Sequence, residues 1–249
     1  MNMSLNELTA AFKRAFEGLG FELGDYEDAA QMVVWLEAHG LGGLQEVQRG
    51  LPYLIQKACP APHLSYEDDS LAVIDARNNS VLTCGGQAID LAYAKARQSG
   101  LGIVQLRNSH NRKMIIERLV NCGRRGIACF AYWRNGSGPV TEHVVSVASG
   151  EDCPHYSHYS VGDRQFGDKQ TLYIVCSDNF GLLKARVNRE LCQPSAEGGI
   201  MTPEQARTAY AESLEQGIAV NSELLATLDG LIKNILVEST EQSRLGAGD

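Results

Sequence analysis

Between Leu71 and Trp133 the chain switches repeatedly between a two-residue and a helical hydrophobic period, and this alternation restricts the fold more than any other feature. Leu71 to Asp75 reads as a short strand, followed by a turn at Asn78, Asn79 and Ser80. Gly85-Gly86 opens a helix from about Gln87 to Arg97, with Gly100 as its C-cap. Ile103 to Leu106 is the next strand, Lys113 to Asn121 a helix ended by Gly123, and Gly126 to Trp133 a third strand. Strands and helices in turn, joined by short links, call for a sheet covered by helices. The expected class is α/β.

The flanks read as helical. Ser4 caps a first helix, with Glu7 as its capping-box partner, and Leu5, Leu8, Ala11, Phe12, Ala15, Phe16 and Leu19 form its inner face. A second helix starts near Asp25 and turns Ala29, Met32, Val33, Trp35 and Leu36 inward until Gly40. Leu41 to Gln56 reads as a loop leading into a short helix around Pro52. Beyond Arg134, strands at Val144–Ala148, Leu172–Cys176 and Leu182–Val187 suit a meander, and Gly150 to Lys169 reads as a long polar loop. Thr202, Pro203 and Gln205 start a further helix running towards Gly217, and an apolar helical run extends from Ile218 to Val237. The expected organisation is a single composite domain over 1–249. It comprises a helical part (1–60), an α/β part (61–200), C-terminal helices (201–240) that pack against the N-terminal ones, and a polar tail (241–249).

Composition removes several functions. Apolar residues are 44% of the 249, enough for a sizeable core, and the net charge of −8 disfavours a nucleic-acid surface. No apolar run reaches the ~18–20 residues of a membrane span, and Met1 to Glu7 lacks the pattern of a signal peptide, so a cytoplasmic protein is expected. Seven cysteines without a CxxC pair imply buried, reduced thiols.

The strongest polar cluster is Arg107-Asn108-Ser109-His110-Asn111-Arg112-Lys113, between a strand and a helix, where α/β folds place ligands. Its basic residues and helix start favour a carboxylate or phosphate, and His110 titrates near neutral pH. The competing reading is a capping loop with solvated basic residues. Glu46 and Arg49 follow the second helix near His39 and suit an ordinary surface pair. Cys153, His155 and His158 could ligate zinc with Asp163 or His143, but they lack paired, turn-held spacing, and a mobile polar loop is the simpler reading. Trp133 and Arg134 either line a pocket or belong to the core. Gly85-Gly86 is a weak anion cradle, since the full G-x-G-x-x-G pattern is absent.

Two stretches resemble the malate/L-lactate dehydrogenase-like family, which uses NAD(P) without a Rossmann fold to reduce 2-oxo acids or cyclic imino acids. The first runs from Asp28-Ala29-Ala30 through Glu37-Ala38-His39 to Gly42 and Leu51-Pro52. The second joins Leu71–Asp75, Gly86–Ala92, Arg107-Asn108-Ser109 and Gly126-Ile127. Ser4–Glu7 and Ser243-Arg244-Leu245 are similar to a smaller bacterial relative catalogued as a domain of unknown function. The resemblance covers Ser4 to Tyr132 plus the tail. It implies a central mixed sheet with helices, and a homodimer.

The resemblance also shows what has changed. Where the family has Ser-His-Gly, with His as proton donor, this chain has Gln45-Glu46-Val47. The family's carboxylate-holding Arg falls at Gly50, beside Arg49, and its later His, aromatic and Gly fall at Asn111, Arg112 and Lys113, with His110 one position early. The expectation is therefore a dehydrogenase-fold protein that has lost the parental redox site, needs no cofactor or metal, and binds a small carboxylate metabolite or a partner protein. Arg49, Asn108, Ser109, Asn111 and Lys113 are its expected binding residues. One alternative is an NAD(P)H-dependent reductase of a 2-oxo or cyclic imino acid, with Glu46 or His110 as proton donor. The other is a cofactor-free isomerase or lyase that uses Glu46 and His110 as an acid–base pair.

Overall fold

The computed structural model describes residues 1–55, 60–136, 140–161, 170–179, 181 and 198–235. A two-residue strand, β1 (Asn2–Met3), leads into α1 (Leu5–Gly18), whose capping box is formed by Ser4 and Glu7 as the sequence requires. Helix α1 buries Leu8, Phe12, Ala15 and Phe16. Helix α2 (Asp25–Ala38) buries Ala29, Ala30, Met32, Val33, Val34, Leu36 and Ala38, positions that cover most of its circumference, while Glu27 and Gln31 are exposed on the remaining side. So broad an apolar surface belongs against a core. The next helix, α3 (Gly43–Ile55), replaces the expected loop and short helix around Pro52. Glycines 42, 43 and 50 and Pro52 lower helix propensity, and packing of Leu44 and Val47 outweighs that cost. At Gly43 a Cβ would lie 2.1 Å from the Val33 carbonyl oxygen, so α3 begins in backbone contact with α2.

The sheet elements are β2 (His63–Glu67), β3 (Leu71–Asp75), β4 (Leu101–Arg107), β5 (Ala128–Asn135), β6 (Thr141–Val147), β7 (His155–Ser160), β8 (Leu172–Ser177) and β9 (Gly198–Met201). They form one eight-stranded sheet in the order β2-β3-β4-β8-β5-β6-β7-β9. Strands β3 and β4 are parallel, connected by α4 (Val81–Ser99), and the other pairs are antiparallel. A single 3-10 turn (Arg112–Met114) and α5 (Ile115–Arg124) link β4 to β5.

Three expectations change here. Helix α4 begins at Val81 with Ser80 as N-cap, and Gly85-Gly86 lies inside it. A Cβ at Gly85 would meet Val81 Cγ1 at 2.7 Å and Ile115 Cδ1 at 3.1 Å, so this glycine allows α4 and α5 to approach. Strand β2 is an unexpected edge strand, exposed along its length. Strand β7 occupies part of the stretch read as a long loop. The strand expected at 182–187, Cys59, Cys192, Asp163 and the tail motif 243–245 lie outside the described residues.

At the C-terminal end, α6 (Pro203–Gln216) carries the expected capping box of Thr202 and Gln205. The apolar run after it is divided. Ile218–Ala219 form β10, which pairs antiparallel with β1, and α7 (Ser222–Ile232) starts at an Asn221 cap and packs on α1. One continuous core includes Phe12, Leu36, Leu119, Trp133, Ile174 and Leu228, from the helices to one face of the sheet. Among the described residues no helix is long and apolar enough to cross a membrane. Cys84, Cys122, Cys129, Cys153 and Cys176 are free and buried.

The α2–α3 contact sets a stability test. Gly43→Ala forces a Cβ against backbone and is expected to destabilise the protein by about 3 kcal/mol, lowering the melting temperature by several degrees. Gly230→Ala, on α7 with nothing within 4 Å of the added Cβ, is the control and leaves the melting temperature unchanged or higher. Equal melting of the two variants would refute the close approach.

Candidate functional site

The loop after β4 is held by its asparagines. Asn108 and Asn111 adopt φ of 52° and 55°, left-handed conformations that asparagine tolerates. Asn108 Nδ2 donates to Asp75 Oδ1 at 2.9 Å. Ser109 is fully buried, and its N–H donates to the Gln170 carbonyl at 3.0 Å. These two residues fix the loop to β3 and to the segment before β8. Asn111 Oδ1 accepts from Ser80 Oγ at 2.8 Å, and its amide nitrogen lies where a side chain at position 50 would start, 1.9 Å from a Cβ built on Gly50. Position 50, which the resemblance aligns with the family's carboxylate-holding Arg, therefore has no room for a side chain.

The basic residues of the loop separate. Arg107 is exposed beside Gln105. Arg112 turns back, donating to the Ser109 carbonyl and to Asn135 Oδ1, each at 2.6 Å. His110 stacks on Tyr53 of α3, with ring centroids 4.5 Å apart, and burial followed by the nearby Arg112 charge lowers its pKa. Tyr53 lies two turns along α3 from Glu46, a rise of about 10 Å, so Glu46 and the ring that holds His110 occupy different levels of the helix.

Lys113 is placed differently. Its side chain is only 17% exposed, and its ammonium stands 3.8 Å from Glu46 Oε1 and 5.4 Å from the centre of the Tyr156 ring. Burial lowers its pKa, partly offset by the charge of Glu46. Glu46 also faces Arg49 at 3.4 Å, and the Arg49 side chain is largely exposed. To act as the proton donor in place of histidine, Glu46 would need burial away from cations. It has instead two cations beside it.

Beneath Lys113 lies a group of side chains that the sequence does not bring together. The antiparallel register sets Trp133 opposite His143, and His143 opposite His158. Trp133 and His143 stack nearly parallel at 4.9 Å, and His143 and His158 at 5.9 Å. His143 Nδ1 lies 2.8 Å from Tyr156 Oη, and Nε2 lies 3.2 Å from Asn135 Nδ2. Burial, and then the charges of His158, Lys113 and Arg112, push the His143 pKa down to about 3. Tyr156 is buried and its pKa is raised, mainly by desolvation. Arg134 points to the opposite face of the sheet, where it pairs with Glu142 at 2.6 Å.

The same geometry bears on where a metal or a cofactor could sit. His155 and His158 differ by an odd number of residues on β7 and so face opposite sides of the sheet, which separates the Cys153-His155-His158 set. Cys122, Cys129 and Cys176 do converge, with sulfurs 3.7 and 3.8 Å apart. Tetrahedral zinc thiolates need S···S separations of about 3.8 Å. These thiols, however, sit in the apolar core with no fourth ligand in their group among the described residues, and an ion with three thiolates would leave net charge there. Packing of buried thiols in the core accounts for the trio. For the nicotinamide cofactor implied by the family resemblance, the sequence offers Gly85-Gly86 as an anion cradle, but these glycines lie inside α4, and the actual start of that helix does not fit a phosphate either. The N–H groups of Val81, Leu82, Thr83 and Cys84 already donate to His110, to the Ser80 hydroxyl and to the Ser80 carbonyl.

Comparison with known proteins agrees with this fold. A family model described as a protein of unknown function (DUF3726) matches residues 3–99. No curated protein matches the chain. Among solved structures, a dehydrogenase from Sinorhizobium meliloti superposes with a TM-score of 0.70 at 14% identity, over 93% of this chain and 99% of that one. Malate dehydrogenase from Pyrococcus horikoshii OT3 gives 0.69 at 15% identity, over 96% of each chain. Sulfolactate dehydrogenase from Methanocaldococcus jannaschii gives 0.66 at 12% identity, over 94% of this chain and 97% of that one. The chain has the malate/lactate dehydrogenase-like fold, and the likeness continues well past Tyr132, where the sequence resemblance stops.

The depressed His143 pKa gives the site a pH signature. The unfolded chain takes up a proton near pH 6.5, whereas folded His143 does so only near pH 3. Between these values the unfolded state binds more protons, so stability falls as pH drops, by up to about 1.4 kcal/mol per pH unit for one such group. Denaturant melts from pH 7 to pH 5 are expected to show this slope, and His143→Gln to flatten it. An equally steep slope in the variant would count against a buried, neutral His143.

Proposed function

We propose that the protein binds a small carboxylate of the 2-oxo- or 2-hydroxy-acid class at Lys113, on a dehydrogenase fold that has lost hydride transfer of the parental kind. One observation carries this reading. The Lys113 ammonium is mostly buried, and its nearest carboxylate, Glu46, stands beyond hydrogen-bond distance. That carboxylate is loosely placed and shared with Arg49, and an incoming carboxylate completes the pairing of Lys113 with a charge-assisted hydrogen bond. Glu46 can then pair with Arg49 alone.

The changed positions support the loss of redox function. Asn111 blocks an arginine at position 50, Glu46 lies between two cations, and the start of α4 has no donors left for a pyrophosphate. The ring of His158, its pKa lowered by burial, and the Tyr156 hydroxyl give the ligand polar partners that add no competing charge.

Calorimetric titration with pyruvate and lactate tests the reading, with Lys113→Met as the comparison. Loss of one charged hydrogen bond is expected to weaken binding by roughly ten- to a hundredfold. Unchanged affinity in the variant would overturn the assignment of Lys113. A parallel titration with NADH and NADPH, followed by nicotinamide fluorescence, is expected to show no saturation up to millimolar cofactor. Saturable micromolar binding, roughly −8 kcal/mol, would overturn the loss of hydride transfer and favour a 2-oxo or imino acid reductase.

A further inference from the structure

Four side chains below Lys113 are joined by hydrogen bonds whose direction is fixed from one end. Arg112 is a donor only, so its 2.6 Å contact makes Asn135 present its carbonyl oxygen to the guanidinium. The Asn135 amide nitrogen then faces His143 Nε2 at 3.2 Å, and since that nitrogen only donates, Nε2 must accept. A neutral imidazole with Nε2 unprotonated carries its hydrogen on Nδ1, which donates to Tyr156 Oη at 2.8 Å. The reverse arrangement would set the Asn135 N–H against an Nε2–H. Tyr156 therefore accepts from His143 and keeps its own O–H for another partner.

That hydrogen has no protein acceptor among the described residues that form hydrogen bonds with Tyr156. A second donor of the same kind lies next to it. Trp133, fully buried and stacked on His143, has an Nε1 with no hydrogen-bond partner. Tyr156 itself is 5% exposed and lies under the Lys113 ammonium. A cation over the ring of a tyrosine whose hydroxyl donor is unanswered suits a ligand with two neighbouring oxygen functions, one ionised and one neutral.

We propose that Tyr156 donates a hydrogen bond to the C2 oxygen of the bound acid, and that Arg112, Asn135 and His143 act as positioning residues that keep this donor pointed at the ligand. The assignment rests on the carboxylate reading of Lys113 and adds to it a determinant of specificity. With Lys113 on the carboxylate and Tyr156 on the adjacent oxygen, the site selects 2-oxo acids over plain carboxylates. A buried tyrosine that keeps its proton is suited to this role across the neutral pH range.

Two measurements on the full chain test the proposal separately. Long-range proton–nitrogen correlation spectra of 15N-histidine-labelled protein are expected to show His143 as the Nδ1–H tautomer at pH 7. In Asn135→Asp the carboxylate accepts from Nε2 and is expected to switch the ring to the Nε2–H form. Titrations then compare pyruvate with propionate, which lacks the C2 oxygen. Wild type is expected to prefer pyruvate, and Tyr156→Phe and Asn135→Asp to lose roughly tenfold in pyruvate affinity with propionate unchanged. An Nε2–H tautomer in the wild type overturns the hydrogen-bond direction, and a retained pyruvate preference in Tyr156→Phe overturns the role of its hydroxyl. If neither acid binds while the Nδ1–H tautomer is seen, the carboxylate reading of Lys113 fails. The ligand assignment of Tyr156 fails with it, and the direction of the chain stands.

Discussion

The broad apolar surface of α2 is the constraint from which the rest of the helical layer follows. A helix whose Ala29, Ala30, Met32, Val33, Val34, Leu36 and Ala38 are all sequestered needs neighbours around most of its circumference, and it has them in α1, α3, α4 and α5. The Gly43 contact brings α3 against α2, and Gly85 lets α4 and α5 close. Once α3 is seated there, its Gly50 meets Asn111 and its Glu46 faces Lys113. The position of the polar cluster is thus set by apolar packing some distance from it.

Within that cluster the balance of donors and acceptors is uneven. Carbonyl and carboxylate oxygens in the loop after β4 are matched: Asp75 takes Asn108, Gln170 takes Ser109, and Asn135 takes Arg112. Donors are in excess at Lys113, Tyr156 and Trp133. Buried polar groups are normally satisfied, so an excess of one kind in one place is more informative than any single residue there. It gives the chemistry of a complementary ligand in terms of oxygen atoms, with no appeal to a relative.

The parts legible in the sequence are those governed by local rules. The Ser4–Glu7 and Thr202–Gln205 capping boxes, the alternation of strands and helices from Leu71 to Trp133, and the inner face of α1 depend on neighbours within one or two turns, and they appear where the sequence puts them. Where local rules conflict with packing, the reading fails. Gly43, Gly50 and Pro52 argue against a helix, yet α3 forms because Gly43 lets its backbone meet that of α2 and Gly50 leaves room for the Asn111 side chain. Strand β7 reads as a loop because His155, Tyr156, Ser157, His158, Tyr159 and Ser160 lack an apolar alternation. Its core-facing positions carry Tyr156 and His158, polar groups of the candidate site, and functional sites are where pattern rules are expected to break. The alignment of Trp133, His143 and His158 depends on strand register across the sheet, which no local signal encodes.

The pairing of β1 with β10, and of α1 with α7, joins segments far apart in the sequence. During synthesis α1 and α2 emerge well before α7, which completes the helical layer. Contacts between residues so far apart close a long loop, and they form late because the ordering entropy must be met before the contact is gained. Until then part of the apolar surface of α1 stays open to other chains, a condition that favours association between unfinished molecules. The architecture that packs around α2 therefore makes this a slow-closing fold, in which a stretch of chain made late covers one made much earlier.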